Sequence, residues 1–137
     1  MKRDNPKIIS DSDELAALFT NATNLNVLLS NIVEKIATYM DADVCSLYLF
    51  DDDTRMLTLK AAKGLRAGFV GKVRFKPGEG LVGIAFKEQR VVREGDAAKH
   101  PGFRPVPGIG DEKYCSFLAI PILRGQNRIG VMTLQSV

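Results

Sequence analysis

The sequence predicts an α+β fold in which helices pack on the faces of an antiparallel sheet. Two strand-forming segments joined by a short turn occur at residues 44–62, and a second such pair occurs at residues 114–135. Segments paired in this way form antiparallel hairpins. An amphipathic helical pattern over residues 25–40 precedes them, and helices combined with hairpins are typical of the α+β class.

The composition is that of one globular domain. The chain has 137 residues, 45% hydrophobic and 26% charged, and single domains usually contain about 100–200 residues. We assign residues 1–10 to an N-terminal extension and residues 11–137 to the domain. Because no apolar stretch approaches the ~20 residues of a membrane-spanning helix and the first residues lack a signal core, we expect a cytoplasmic protein that does not contact membranes.

The net charge of +3 is unevenly distributed. Residues 71–137 carry 11 basic and 6 acidic side chains, whereas residues 1–70 carry 8 and 10. The basic residues are scattered singly without aromatic residues between them, so the sequence does not predict nucleic-acid binding. Cys45 and Cys115 have neither the number nor the spacing of a disulfide framework or a zinc site, and we expect both to be reduced.

The elements of the first half follow from local patterns. Asp11 and Glu14 have the spacing of a helix cap and predict a short helix, followed by the long helix over residues 25–40. Residues 44–50 and 56–62 form the first hairpin. Its turn of three aspartates lacks the central glycine and closing glutamate of a calcium loop, which favours a plain polar turn.

The middle of the chain consists of loops and short elements, because ten of the twelve glycines fall between residues 64 and 110. Residues 72–75 alternate like a short strand, and a glycine-rich turn at residues 77–80 leads into a helix over residues 81–88. The free N–H groups at such a helix start attract a phosphate or carboxylate. Alternatively, these glycines serve only a tight turn and close packing.

A short strand at residues 90–92 is followed by a loop that reaches residue 113. A loop of this length is typical of a lid or binding segment, or else of a disordered segment. The second hairpin, residues 114–123 and 128–135, is apolar almost throughout, which predicts a central position in the sheet. Pro121 marks a bulge or an edge-facing site. Cys45 and Cys115 lie in predicted strands, where inert core packing is the usual role.

Several segments together resemble the GAF domain family. They are residues 43–49, 64–65, 77–83, Asp96, residues 116–122 and residues 129–131. The motifs Gly-Glu-Gly-Leu-Val-Gly at residues 78–83, Asp-Ala at 96–97 with His-Pro-x-Phe at 100–103, and Tyr-x-Ser-Phe-Leu-x-x-Pro-Ile at 114–122 are similar to the N-terminal GAF domain of nitrogen-type phosphoenolpyruvate–protein phosphotransferases. This resemblance covers about residues 14–137.

The resemblance implies a cytoplasmic regulatory module with a profilin-like, six-stranded antiparallel sheet. Helices would cover one face, and the short helix and long loop would roof a ligand cavity on the other. It further implies sensing of nitrogen status, with glutamine or a related small metabolite as the ligand. No catalysis is expected of this chain, because the phosphorylated histidine of such enzymes belongs to a separate domain.

The sequence differs from the motifs of other GAF groups, and these differences narrow the range of expected ligands. The Asn-Lys-x-x-Phe signature of cyclic-nucleotide-binding members is absent, and Cys115 is followed by Ser116 and Phe117 rather than by the histidine of bilin-binding members. In GAF domains that reduce free methionine sulfoxide, a cysteine stands where this chain has Val82. No cofactor is therefore expected, and a thiol-based reductase is the weaker alternative.

The candidate site combines eight residues from four segments. Alternation along residues 114–120 places Tyr114 and Ser116 on one face with Leu118, and we expect that face to line the cavity because it pairs hydroxyls with apolar groups. Asp96 would bind an amine or amide, and the backbone at Gly80, Leu81 and Val82 a carboxylate. His100 and Phe103 complete the set. As the only histidine, His100 supports neither a histidine metal site nor a catalytic triad.

A rival interpretation makes the chain a dimerisation module, as in nitrogen-regulatory activators or sensor kinases. The helix over residues 25–40 would then pack against its twin in a homodimer, Phe86 and Phe103 would fill the cavity, and no metabolite would bind. The sequence does not separate this hypothesis from metabolite binding, and the two are compatible.

Overall fold

A computed structural model describes residues 22–137, in which two helices and six strands alternate with loops. In chain order the elements are α1 (Ala22–Tyr39), β1 (Val44–Asp51), β2 (Met56–Lys63), β3 (Arg74–Phe75), α2 (Gly80–Glu88), β4 (Val92–Glu94), β5 (Ser116–Arg124) and β6 (Asn127–Ser136). The short helix predicted from Asp11 and the extension at residues 1–10 lie outside the described residues.

The strands form one sheet in the order β3-β2-β1-β6-β5-β4, and all neighbours are antiparallel. The α+β class and the six-stranded antiparallel sheet are thereby confirmed. Both hairpins occur as predicted, and β6 lies at the centre, where its apolar sequence places it. The fourth strand begins two residues later than predicted, at Val92.

The two faces of the sheet carry separate apolar clusters. On the helix face, α1 buries Val33 and Ala37 against side chains of β1, β2 and β6. On the opposite face, here called the cavity face, α2 and the loops cover a larger cluster that includes Leu57, Leu59 and Val131. The sheet is therefore covered on both faces, by a helix on one and by a helix with loops on the other.

A bulge in β2 decides which side chains reach which face. Leu47 pairs with Ala61 and Tyr48 pairs with Leu59, so Lys60 has no partner in the register. As a result, Leu59 lies on the cavity face and Ala61 on the helix face, although residues two apart normally share a face.

Pro121 lies at an irregularity of β5, as predicted. The outer neighbour β4 pairs only as far as Ala119, so no outer strand follows β5 at Pro121, and the β5–β6 register shifts between Ile122 and Leu123. A residue without an N–H is tolerated at such a position. In the described part of the chain, neither helix combines the length and apolarity needed to cross a bilayer.

Candidate functional site

A small cavity lies on the cavity face, between the sheet, the start of α2 and residues 103–111, which we call the roof segment. Its volume is about 40 Å³. The sheet contributes Tyr48, Phe117, Thr133 and Gln135 to its floor, α2 contributes Leu81 and Val82, and the roof segment contributes Phe103, Arg104, Val106, Ile109 and Asp111. A short helix and a long loop thus roof an enclosed space above the central strands.

The floor of the cavity is polar at positions where the surrounding cluster is apolar. Thr133 and Gln135 are two residues apart on β6, so both side chains point to the cavity face, and both are buried. Gln135 Nε2 donates a hydrogen bond to Asp111 Oδ2 at 3.3 Å. This bond connects the floor directly to the roof segment.

Two hydroxyl groups extend the polar strip across β1. Ser46 lies opposite Thr133 in the β1–β6 register and Tyr48 lies opposite Val131. The buried Ser46 Oγ has no hydrogen-bond partner within residues 22–137. Burial, and secondarily the negative charge of Asp111, raises the pKa of Tyr48 well above its ordinary value. The Tyr48 phenol therefore stays protonated, and it is close enough to interact electrostatically with the Asp111 carboxylate.

The start of α2 presents backbone donors beside this strip. No side chain caps the first turn, because the N-cap residue Glu79 makes no capping bond and instead accepts a hydrogen bond from Lys76 N at Oε1, at 2.9 Å. The N–H groups of the first helical residues lack intrahelical partners by geometry. Gly80, with φ +68°, lies under the Phe75 ring and Arg104, where a Cβ would come within 3.1 Å of the ring. A side chain at this position would be strained by the positive φ and would have to displace the Phe75 ring.

Three of the eight predicted site residues line the cavity: Leu81, Val82 and Phe103. Gly80 lies beside it, as described above. Asp96 and His100 are not among the lining residues. Asp96 precedes a 3₁₀ turn and pairs with Lys99 at 3.9 Å, while His100 Nδ1 accepts a hydrogen bond from Gly102 N at 2.9 Å. The observed contacts of Asp96 and His100 thus shape the loop.

The prediction that the Tyr114, Ser116 and Leu118 face of β5 lines the cavity is wrong. Phe117 and Ala119 pack into the cavity-face cluster, whereas Ser116 and Leu118 border a groove beside Met40 and Ala42 at the end of α1. Tyr114 precedes β5 and is not among the lining residues either. Alternation along a strand defines two sets of side chains, but it does not say which set faces the helix.

Both cysteines were expected to pack in the core, and one of them does not. Cys45 is buried on the helix face, and burial raises its pKa to about 11. Cys115 lies just before β5 and is exposed, so the prediction of core packing is wrong for this residue. Because β6 separates β1 from β5, the two thiols do not face each other across adjacent strands. This arrangement gives no support to a thiol–disulfide enzyme.

Sequence reasoning missed the polar floor and Asp111. Thr133 and Gln135 did give a signal, because polar residues spaced by two in an otherwise apolar strand indicate a polar strip on one face. Asp111 gave no such signal, because it lies in a long loop whose sequence has no periodic pattern. Only the folded path of the roof segment brings it over Gln135.

Comparison with known proteins identifies relatives of this fold. Residues 22–137 match the family model described as GAF domain. A phosphoenolpyruvate-dependent phosphotransferase system protein of Escherichia coli is 34% identical over 111 residues, which are 81% of this chain but 15% of that protein. The nitrogen fixation protein VnfA of Azotobacter vinelandii is 25% identical over 132 residues, covering 89% of this chain and 24% of VnfA.

A solved structure agrees with these sequence relatives. The GAF domain of a phosphoenolpyruvate–protein phosphotransferase from Coxiella burnetii superimposes with a TM-score of 0.76 at 33% identity, covering 89% of this chain and 74% of that one. The similarity expected from the glycine-rich and Tyr-x-Ser-Phe-Leu motifs, to GAF domains of phosphotransferases, is confirmed. The chain nevertheless spans only a small part of the curated relatives that it matches.

Proposed function

This chain belongs to the GAF domain family, and we propose that it is the metabolite-binding regulatory module of a phosphoenolpyruvate–protein phosphotransferase that responds to nitrogen status in the cytoplasm. The likeness to the Escherichia coli and Coxiella burnetii proteins supports the assignment to a phosphotransferase. The likeness to a nitrogen fixation protein supports the link to nitrogen. The whole enzyme's chemistry is not assigned to these residues.

The observation that carries the proposal is the polar strip beneath the roof segment. Buried polar groups cost free energy unless they are hydrogen-bonded, so an apolar cluster does not accumulate them without a compensating role. Here Thr133, Gln135 and Asp111 converge on one cavity. Ser46, opposite Thr133 in the register, has a buried hydroxyl without a hydrogen-bond partner among the described residues. A few convergent polar groups among apolar walls are typical of small-molecule sites.

The volume of the cavity indicates that the described state is closed. A space of about 40 Å³ accommodates a few water molecules, whereas ligand sites usually enclose about 300–1,000 Å³. Binding therefore requires the roof segment to move outward, and the hydrogen bond between Gln135 and Asp111 is one contact that would open. A ligand that replaces this bond shifts the protein towards the open arrangement.

The chemistry of the lining favours a small molecule with both a donor and a carboxylate. Asp111 would accept hydrogen bonds from an ammonium or amide group, which is the role expected of Asp96 from the sequence. Gln135 supplies both a donor and an acceptor. The N–H groups at Gly80, Leu81 and Val82 would receive the carboxylate. Glutamine and related amino-acid metabolites have this combination.

Calorimetric titration of the full chain tests the proposal. We expect heat of binding from glutamine, little from 2-oxoglutarate, which lacks the amine, and none from a cyclic nucleotide. Asp111→Asn should reduce the affinity at least tenfold, because among residues 22–137 this carboxylate is the only acidic group that lines the cavity. Asp53→Asn, on an exposed turn, serves as the matched control. If none of the three ligands gives heat, the chain is not a sensor of these metabolites.

A second candidate function, homodimerisation through α1, rests on a different observation. Leu28, Ile32 and Tyr39 share one flank of α1, and Tyr39 is 88% exposed and Ile32 37% exposed. Ile32→Glu should convert a dimer to a monomer in size-exclusion chromatography with light scattering, whereas Val91→Glu, at an exposed apolar residue elsewhere, should not. A wild-type chain that is monomeric at high concentration would exclude this candidate.

A further inference from the structure

A second, larger depression lies outside the roof segment, along the edge strand β3. It is bordered by residues 68–69, 72–75, 79 and 104–107, has a volume of about 570 Å³ and is open to solvent. We call it the β3 groove. Its floor is apolar, formed by Phe69, Val73, Phe75 and Val106. Phe75, Arg104 and Val106 also line the inner cavity and separate the two spaces.

The backbone of β3 offers an open hydrogen-bonding position in this groove. β3 ends the sheet, and Val73 O accepts a hydrogen bond from Leu59 N at 2.9 Å. Because backbone groups alternate along a strand, the N–H and C=O of Arg74 point away from β2 towards the open edge. The neighbouring N–H groups of Lys72 and Lys76 are already bound, to Phe69 O and Glu79 Oε1.

The segment on the other side of the groove, residues 104–107, forms no backbone hydrogen bond with β3 within the described part of the chain. It contains Pro105 and Pro107, which have no N–H to donate to a strand. The outward N–H and C=O of Arg74 have no backbone partner among residues 22–137, and open edges of this kind accept an added strand.

The charges at the rim are complementary to an acidic partner. Lys72, Arg74 and Arg104 border the groove, and none of them forms an ion pair with another residue of the range 22–137. Glu79, the single acidic residue among the described residues that border the groove, accepts a hydrogen bond from Lys76 N. Three cations around an apolar floor therefore face one carboxylate that already has a hydrogen-bond partner.

We propose that the β3 groove binds an acidic peptide segment in extended conformation. The peptide adds to the edge at Arg74 through two backbone hydrogen bonds. Alternate side chains then point to the apolar floor and to the cationic rim, so the recognised pattern alternates apolar and acidic residues. This surface is separate from the metabolite cavity, and the proposal does not depend on the ligand assigned there.

The probe for this site is a fluorescein-labelled octapeptide of alternating glutamate and valine, titrated with the full chain and followed by anisotropy. We expect saturable binding that weakens as salt is added, because exposed charges are screened. The matched peptide of alternating lysine and valine should not bind. Equal binding of both peptides, or no saturable binding of the glutamate peptide, would overturn the proposal.

Two substitutions at one residue separate backbone recognition from charge. Arg74→Ala removes the guanidinium but keeps the N–H, and we expect it to weaken binding a few-fold. Arg74→Pro removes both, and we expect a further loss of at least fivefold. The outward N–H does not take part in the pairing with β2, so proline is compatible with this edge position. Equal melting temperatures of the two variants would show that both are folded.

Arg124→Ala, at an exposed cation at the far end of β5, is the control and should bind like the wild type. If Arg74→Pro binds as well as Arg74→Ala, strand addition is wrong. If inorganic phosphate displaces the peptide at matched ionic strength, the groove is a site for small anions rather than for a peptide, and the proposal fails. If the Arg74→Pro variant does not fold, the Lys72→Glu variant is tested in its place. This variant must abolish binding of the glutamate peptide.

Discussion

At the scale of single residues, Gly83 shows how the glycine-rich turn is joined to α2. A Cβ on Gly83 would collide with the carbonyl oxygen of Lys76 and come within 3.0 Å of Gly78 N. The turn over residues 76–79 therefore packs directly on the helix backbone. Close packing, which the sequence suggested for the glycines of the turn, is thus found at Gly83 inside α2.

Gly83→Ala should lower the free energy of unfolding by about 1–3 kcal/mol, because backbone atoms rather than a flexible side chain must move to admit the methyl group. The measurement is urea denaturation of the full chain. Gly68→Ala is the matched control, since no atom lies within 4 Å of the added Cβ and the backbone needs no positive φ. A loss of stability at Gly68 as large as at Gly83 would contradict this reasoning.

Cys45 makes stability depend on pH in the alkaline range. Its pKa is raised from 9.0 to about 11 by burial, so the folded chain retains a proton that the unfolded chain loses. The stabilisation is complete below pH 9 and is lost as the pH rises towards 11, at about 1.4 kcal/mol per pH unit. Urea midpoints at pH 8 and pH 10 should therefore diverge more for the wild type than for Cys45→Ala. Equal pH dependence of the two proteins would show that Cys45 ionises in the folded state.

At the scale of elements, the roof segment is anchored by three apolar side chains, of which Phe103 and Val106 are only partly buried. Ile109 is its one residue that is fully buried, with 2% of its surface exposed, and its carbonyl oxygen accepts a hydrogen bond from Arg66 N at 3.1 Å. An irregular segment with one fully buried and two partly buried apolar side chains is expected to open locally before the sheet unfolds. Local opening of this kind is what access to the small cavity requires.

Ile109→Ala should lower the free energy of unfolding by about 2–5 kcal/mol if the roof segment stays packed on the sheet. The loss should be smaller if the segment detaches. Hydrogen exchange distinguishes these cases, because a detached roof exchanges faster over residues 103–111 while α1 remains protected. Val91→Ala, at an exposed residue of similar type, should change neither region. Faster exchange in α1 as well would mean that the roof segment does not open independently.

The elements also show which parts of the fold the sequence determines. Hairpins, the long helix and the helix after the glycine-rich turn follow from local periodicity and turn chemistry, and all were predicted. The face of β5 was not, because the orientation of Phe117 relative to Ser116 depends on where α1 packs. The bulge at Lys60 and the position of Asp111 over Gln135 also arise from tertiary contacts and leave no local pattern.

At the scale of the whole molecule, one sheet joins the two apolar clusters. Leu47 belongs to the helix-face cluster and Leu57 to the cavity-face cluster, yet they lie on the paired strands β1 and β2. Both clusters are built on the same paired strands, so loss of the β1–β2 pairing removes the support of both. The domain should therefore unfold as one cooperative unit, as small single domains usually do.

Leu47→Ala and Leu57→Ala test this cooperativity from opposite faces. Each removes a buried side chain and should lower stability by about 2–5 kcal/mol, and each should shift a single transition rather than create a second one. Amide signals of α1 and of α2, which lie on opposite faces, should disappear at the same urea concentration in both variants. If Leu47→Ala released α1 while α2 stayed folded, the helix face would be an independent unit, and a ligand in the cavity could not influence α1 through the sheet.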